Sequence, residues 1–145
     1  MINNFIGKNF FLSNFYNAYL VYEGTVFHST EAAFQAAKTL DKSERERIAK
    51  LSPGESKSEG RKIKLRDDWE SVKDGVMYDV CFAKFTMNDS SKLRERLLET
   101  GDEELIEGNT WHDNYWGNCS CEKCKDIEGR NQLGKTLMRI RAELR

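Results

Sequence analysis

Apolar side chains recur every three or four positions between residues 69 and 83, and this spacing is the strongest constraint on the fold. The stripe consists of Trp69, Val72, Val76, Val80 and Ala83. Residues three and four positions apart share one face of an α-helix, so the pattern predicts a helix of about four turns with that face buried. We expect this helix, which begins from Asp67 or Asp68, to lie in the centre of the core.

Capping residues mark further helix starts. Ser52 and Glu55 have the spacing at which a cap and a glutamate each satisfy a backbone N–H of the other, and Asp41 and Glu44 repeat it. Pro53 falls at the first helical position, where its missing N–H costs nothing. The sequence therefore predicts two helices here, and a last amphipathic helix over residues 132–144.

The strand signals are fewer and shorter. Two β-prone runs, residues 18–22 and 25–27, are separated by Glu23 and Gly24, which predicts an antiparallel hairpin with a two-residue turn. Residues 5–17 are rich in aromatic side chains without a period, which predicts a packed loop. Residues 105–106 are predicted to form a short strand. Together these signals predict an α+β fold that is mainly helical.

Composition limits the class of protein. A chain of 145 residues with 39% hydrophobic content predicts one domain, residues 1–145, with one core. Lys and Arg number 23 against 24 Asp and Glu, so no global positive field favours nucleic acid or an anionic membrane. The N-terminus resembles no leader, and the longest apolar run is residues 18–22. We expect a soluble, cytoplasmic protein.

The segment Ser29–Lys38 places a carboxylate at the start of a helix. Ser29 or Thr30 is a suitable N-cap, and alanines and other helix formers follow. Glu31 then falls in the first turn, where the helix dipole favours its ionised form. This suits a base, a nucleophile or a group that stabilises a cation; the alternative is that Glu31 only stabilises the helix. Between residues 57 and 66, clustered basic side chains, Arg61 included, suit either a phosphate contact or solvent.

A second dense segment, residues 109–118, combines large aromatic side chains with His112 and Asp113. Its aromatic rings suit a nucleobase or a sugar, and Gly117 would allow close backbone approach. The alternative is an aromatic plug over the core in which Asp113 bonds loop amides. The sequence alone does not show whether Glu31 and Asp113 meet.

Three cysteines, Cys119, Cys121 and Cys124, have a spacing that can place three thiolates around zinc. His112 or Cys81 could be the fourth ligand. Such a zinc ion would be structural; the alternative is that the thiols are free within a tight loop.

The chain resembles the NADAR or YbiA-like domain family along nearly its whole length. The matching pieces, in order, are residues 13–15, 30–31, 34–36 with Lys38, 60–61, 68–73 with 76–77, 83–85, 105–107, Asp113, 115–117, Asn131, 133–134 and 137–138. After the matching Trp-Gly pair, many family members have Asp where this chain has Asn118, and a segment with cysteines follows here. This departure weakens an acid role at position 118 and shifts the weight to Asp113.

The resemblance implies an N-glycosidase that cleaves a bond to ribose without a required cofactor. Family substrates are phosphorylated ribosylamino-pyrimidine intermediates of riboflavin synthesis or ADP-ribose attached to guanine. By matching position, Glu31 would be the principal catalytic carboxylate, with Asp113 and Trp116 completing the site. Substrate-binding residues would be Asn14, Phe34, Lys38, Arg61, Gly117 and Asn118. Nucleic acid would be a partner only as a modified substrate.

Two other classes remain compatible with the sequence. One is a module that binds ADP-ribose or a nucleotide without cleaving it, and the other is a small interaction domain stabilised by zinc. Product analysis separates the first from an enzyme, and metal analysis tests the second.

Overall fold

Helices make up most of the regular structure in the computed structural model, which describes residues 1–145. The α-helices are α1 (Thr30–Ala36), α2 (Lys42–Ala49), α3 (Pro53–Gly60), α4 (Trp69–Thr86), α5 (Leu93–Glu99) and α6 (Gln132–Leu144). The strands are β1 (Leu20–Tyr22), β2 (Thr25–Phe27), β3 (Gly108–Asn109) and β4 (Asn118–Cys119). Two short 3₁₀ helices, Gly7–Leu12 and Asp89–Ser91, complete the regular elements. Helical residues amount to 48% of the chain, which confirms the predicted α+β class.

Strands β1 and β2 form the predicted antiparallel hairpin. Tyr22 pairs with Thr25, so Glu23 and Gly24 make a two-residue turn. Both turn residues have positive φ, 47° and 84°, as the hairpin turns that match strand twist require. The hairpin leads directly into α1.

Residues 14–94 form one compact unit of the chain, in which α1 packs against α2, α3 and α4. All seven residues of α1 are buried, and its alanines allow close approach of the neighbouring helices. The predicted core helix is α4, which buries Trp69, Val76, Val80 and Ala83. Val72 is only half-buried, so the predicted stripe is correct except at this position.

The other unit comprises residues 1–13 and 95–145. Helix α6 buries Leu133, Leu137 and Ile140 on the face that its spacing predicts. Strands β3 and β4 pair in parallel over two residues, a feature that the sequence did not indicate. The N-terminal segment joins this unit through a parallel bridge between Ile2 and Leu105.

Three local predictions differ from the structure. Residues 5–17 are not all loop, because Gly7–Leu12 forms a 3₁₀ helix that buries Phe11 and Leu12. Residues 105–106 form no strand beyond the single bridge of Leu105. At α2, Asp41 accepts bonds from the first helical amides as predicted, but Glu44 pairs with Arg47, 2.7 Å away.

No helix of the chain has both the length and the hydropathy that crossing a membrane requires.

Candidate active site

Glu31 lies buried in the first turn of α1, with only 8% of its surface exposed. Ser29 is the N-cap, and its Oγ accepts a bond from the amide of Ala32 at 3.0 Å. The amide of Glu31 donates to the backbone oxygen of Asn14 at 3.1 Å. The cap and the Asn14 contact fix the backbone of the carboxylate, and the placement at the helix start agrees with the sequence prediction.

Asn14 ties the loop before the hairpin to α1. Its Oδ1 accepts a bond from the Thr30 hydroxyl at 2.8 Å, and its Nδ2 contacts the Met77 sulfur at 3.4 Å. Asn14 is itself buried. Because its side chain and backbone oxygens bind consecutive residues of α1, Asn14 positions the residue that carries the carboxylate.

Gln35 holds the Glu31 carboxylate directly. Its Nε2 donates to Glu31 Oε1 at 2.8 Å, one helical turn away, and the Gln35 side chain is buried. Its Oε1 accepts no hydrogen bond. This oxygen points at Gly60 of α3, where a Cβ would lie 1.8 Å from it. Gln35 is not among the predicted site residues, although its position four residues after Glu31 places the two side chains on one face of a helix.

Lys38 and Arg61 bring positive charge to the same unit. Burial lowers the pKa of Lys38 from its ordinary 10.5, the charge of Glu31 raises it, and the charge of Arg61 lowers it further. The three ionisable groups therefore interact electrostatically within one unit. A phosphate placed between Lys38 and Arg61 would relieve the repulsion between the two cations.

Phe34 is a core residue in this structure. Its ring lies 5.1 Å from that of Trp69, centroid to centroid, with the planes tilted by 59°, and only 5% of the residue is exposed. The resemblance implies that Phe34 binds substrate, and that role stays a prediction; in this structure its ring packs on Trp69.

The basic stretch is partly neutralised by its own neighbours. Arg66 pairs with Asp68 through contacts of 2.6 and 3.1 Å, and Lys62 lies 3.7 Å from Glu59. Arg61 is exposed at the C-terminal end of α3. Arg61 is also a cation of this stretch whose charge acts on Lys38.

The segment of residues 109–118 lies in the other unit and is organised by Asn109. The Asn109 Nδ2 donates to the backbone oxygen of Asp113 at 2.8 Å. Its Oδ1 accepts bonds from the amides of Trp111 and Asp113 at 3.3 and 3.2 Å. Asn109 is buried, so one side chain closes the loop on itself. No periodic signal in the sequence identifies such a residue.

Asp113 bonds loop amides, as one of the two readings of the sequence described. Its Oδ1 accepts from the amides of Tyr115 and Trp116 at 3.1 and 2.9 Å. The rings of Tyr115 and Trp116 meet edge to face, 4.8 Å apart. The Asp113 carboxylate thus shapes the backbone that presents Trp116.

Gly117 and Asn118 serve the packing of the same loop. A Cβ at Gly117 would lie 1.8 Å from Glu107 Oε2 and 2.0 Å from the Glu107 backbone oxygen. The close backbone approach predicted at Gly117 is therefore made by Glu107. The Asn118 side chain accepts a bond from the Gly129 amide at 2.7 Å.

The three clustered cysteines meet His112. The Nδ1 of His112 lies 3.2 Å from the Cys121 sulfur and 3.5 Å from the Cys124 sulfur. With Cys119, these side chains present four potential metal ligands within 4.8 Å of one another. Cys81, the alternative fourth ligand, lies buried on α4 beside Met77 and Asn14.

Comparison with known proteins gives the class of this chain. The family model of the NADAR domain matches residues 3–145. The chain belongs to the NADAR domain family.

Named relatives make the class more specific. The chain is 36% identical over 135 residues to the N-glycosidase YbiA of Escherichia coli strain K12, covering 91% of this chain and 79% of the relative. It is 36% identical over 139 residues to an N-glycosidase of Nostoc punctiforme, covering 92% and 84%. A riboflavin biosynthesis protein of Vibrio vulnificus is 34% identical over 137 residues, which are 92% of this chain and 35% of that protein.

The fold is also that of a solved relative. The NMR structure of the E. coli protein YbiA matches with a TM-score of 0.81 at 35% identity, covering 99% of this chain and 84% of that chain. The predicted resemblance to the NADAR and YbiA-like family is therefore confirmed.

Proposed function

We propose that the protein hydrolyses an N-glycosidic bond between ribose and a base or amine, with Glu31 as the principal catalytic carboxylate. The observation that carries this proposal is the Glu31 side chain itself, buried and held by Gln35 at 2.8 Å in a chain whose relatives are named N-glycosidases.

The chemistry follows from the charge that develops during cleavage. Breaking the bond between C1′ of ribose and nitrogen leaves positive charge on the sugar ring, as in glycoside hydrolysis. A fixed carboxylate beside the ring stabilises that cation or orients the attacking water. Glu31 meets this need because its backbone and one oxygen are already held. Carboxylate chemistry of this kind requires no metal or organic cofactor.

A ribosyl phosphate suits the charges around Glu31. Lys38 and Arg61 interact electrostatically with each other and would hold a phosphate as a pair. The preferred substrate class is a phosphorylated ribosylamino-pyrimidine, in line with the name of the Vibrio relative. ADP-ribosylated guanine in DNA is the second candidate, and a net charge of −1 makes a duplex the less favoured ligand.

The experiment that tests the proposal is the substitution Glu31→Gln, assayed for released ribose phosphate by chromatography. The substitution keeps the size of the side chain and removes its charge, so we expect turnover to fall at least about 100-fold. The melting temperature should stay near that of the wild type. A Glu31→Gln variant that turns over at the wild-type rate would remove Glu31 from the mechanism.

The same assay identifies the substrate class and distinguishes an enzyme from a module that only binds. Wild-type protein is incubated with a ribosylamino-pyrimidine phosphate and, separately, with ADP-ribosylated guanine DNA. Release of free base or amine from either identifies the substrate. Calorimetric binding of ADP-ribose without release from any substrate would instead establish the non-catalytic binding module.

Asp113 has a test of its own. Asp113→Asn keeps the oxygen that accepts bonds from Tyr115 and Trp116 but removes the acidic group. If Asp113 transfers a proton in the reaction, turnover should fall at least about 100-fold, which is the lower end of the contribution of one general acid or base. Wild-type turnover would show that Asp113 acts only by shaping the loop that carries Trp116.

A further inference from the structure

We propose that His112, Cys119, Cys121 and Cys124 bind one zinc ion that fixes the loop of Asp113 and Trp116. All four ligand atoms lie within 4.8 Å of one another. Cys119 and Cys124 are buried, and Cys121 is partly buried. None of the four ligands is a proposed catalytic residue, so zinc binding can be measured separately from the proposed glycosidase activity.

The distances fit a tetrahedral ion. Zinc bonds of about 2.3 Å to sulfur and 2.0–2.1 Å to nitrogen give edges of about 3.6 Å between nitrogen and sulfur and about 3.8 Å between sulfurs. The observed separations from His112 Nδ1 to the sulfurs of Cys121 and Cys124 are 3.2 and 3.5 Å. All separations in the set are within 4.8 Å, at most about 1 Å beyond a sulfur–sulfur edge, so ion binding requires the ligand side chains to move by about that amount or less.

The backbone is arranged around the sulfur of Cys119. Two amides, those of His112 and Cys121, point at this sulfur from 3.3 and 3.5 Å. Amide donors stabilise the thiolate form that binds metals. His112 adopts a φ of 71°, a left-handed conformation that is uncommon outside glycine, and this conformation brings its Nδ1 to the cysteines.

The ligand set selects zinc and a structural role. Three thiolates and one imidazole are a Cys₃His set, which closes the tetrahedral coordination of zinc and leaves no position for water. Binding releases the protons of the three thiols, and the ion with its ligands carries a net charge of −1. His112 would bind as the neutral ring through Nδ1.

The position of the site explains what the ion does for the fold. Its ligands bracket residues 113–118, which include Asp113 and Trp116. At the ends of this segment, the Cys119 amide donates to Asn114 Oδ1 at 2.8 Å, and the Ser120 amide donates to the Asn109 backbone oxygen at 2.9 Å. Zinc would therefore join both ends of a loop that is otherwise held by backbone and side-chain hydrogen bonds.

Metal content of the purified chain tests the proposal directly. The wild type is expressed in zinc-supplemented medium, purified with reductant and measured by plasma mass spectrometry; we expect about one zinc ion per chain. Cobalt loading of the apoprotein should give the absorption bands of tetrahedral cobalt bound to thiolate. The double substitution Cys121→Ser with Cys124→Ser should lose both signals.

Two further variants exclude simple unfolding as the cause. Cys121→His replaces one zinc ligand with another and should retain zinc, whereas Cys81→Ala removes a cysteine outside the cluster and should keep full stoichiometry. Chelation should lower the melting temperature of the wild type and leave the double variant unchanged. A wild type without zinc that gives no cobalt bands, or a double variant with full metal content, would overturn the proposal.

Discussion

A buried carboxylate needs partners, and Glu31 has them within its own helix and the adjoining turn. Gln35 donates to one oxygen, and the positive charge of Lys38 interacts with the carboxylate. Because transfer of an ionised group from water is costly, each partner supports the charged form that the proposed mechanism uses. Gln35 is therefore a positioning residue for Glu31.

The substitution Gln35→Met tests this role while preserving side-chain volume. A hydrogen bond to a charged group contributes about 1.5–3 kcal/mol, so loss of the donor should lower kcat roughly 10- to 100-fold. KM should change little, since Gln35 does not contact substrate in this mechanism. Steady-state kinetics on the ribosyl substrate measure both constants.

Phe34→Leu is the matched control for the Gln35 substitution. It changes the preceding residue of α1, which packs on Trp69, and should lower stability more than kcat. Equal kcat in Gln35→Met and the wild type would assign Gln35 a packing role only.

At the scale of the element, the packing of α3 against α1 restricts the orientation of the Gln35 side chain. Gly60 lies directly over the Gln35 side chain, where a Cβ would come 1.8 Å from Oε1 and 2.6 Å from Cδ. The absence of a side chain at Gly60 therefore allows Gln35 to keep the orientation in which Nε2 faces Glu31. Packing between two helices thus sets the geometry of the candidate catalytic carboxylate.

Gly60→Ala should consequently affect both stability and turnover. Forcing a methyl group into this contact costs about 1–3 kcal/mol, and displacement of Gln35 should lower kcat as well. Urea unfolding measures the free energy of unfolding, and the ribose-release assay measures kcat.

Gly75→Ala is the matched control on α4. A Cβ at Gly75 has no atom within 4 Å, so alanine should stabilise the helix by about 0.8–1 kcal/mol and leave turnover unchanged. Gly60→Ala with wild-type stability and wild-type kcat would refute the packing argument.

At the scale of the whole molecule, residues 14–94 interrupt the sequence of the other unit. The chain enters this middle unit after residue 13 and leaves it before residue 95. Helix α5 spans the second of these boundaries. A single domain over residues 1–145 stays a prediction, and coincident unfolding transitions by near- and far-ultraviolet circular dichroism would support it.

The stability of the molecule should fall at alkaline pH because of Cys81. Complete burial raises the pKa of this thiol from 9.0 to about 12. Between these values the unfolded chain ionises the thiol and the folded chain does not, so the folded state holds more protons and stability falls as pH rises.

Cys81→Ala removes this dependence. Relative to that of Cys81→Ala, the free energy of unfolding of the wild type should decrease as the pH rises from about 8 to about 10.5. Urea titrations at several pH values measure it, and other ionisable groups cancel in the difference. A constant difference over that range would contradict the assigned pKa.

Sequence alone determined the elements whose signals are local. Helix α4 follows from its apolar spacing, α3 from the Ser52–Glu55 capping box and Pro53, and the hairpin from its two-residue turn. These features depend on backbone hydrogen bonds and side chains within a few residues, so the chain encodes them without tertiary information. The helix start at Glu31 was predictable for the same reason.

Only the tertiary structure decided which distant residues support these elements. Asn14 bonds to Thr30 and Glu31, and Gly60 leaves space for the Gln35 side chain. These residues are too far apart in the sequence for a local pattern to predict their contacts. His112 rather than Cys81 joins the three clustered cysteines because folding brings its ring nitrogen beside their sulfurs. Such contacts form only when the chain reverses direction and its elements pack, whereas local propensities depend only on residues that are neighbours in the sequence.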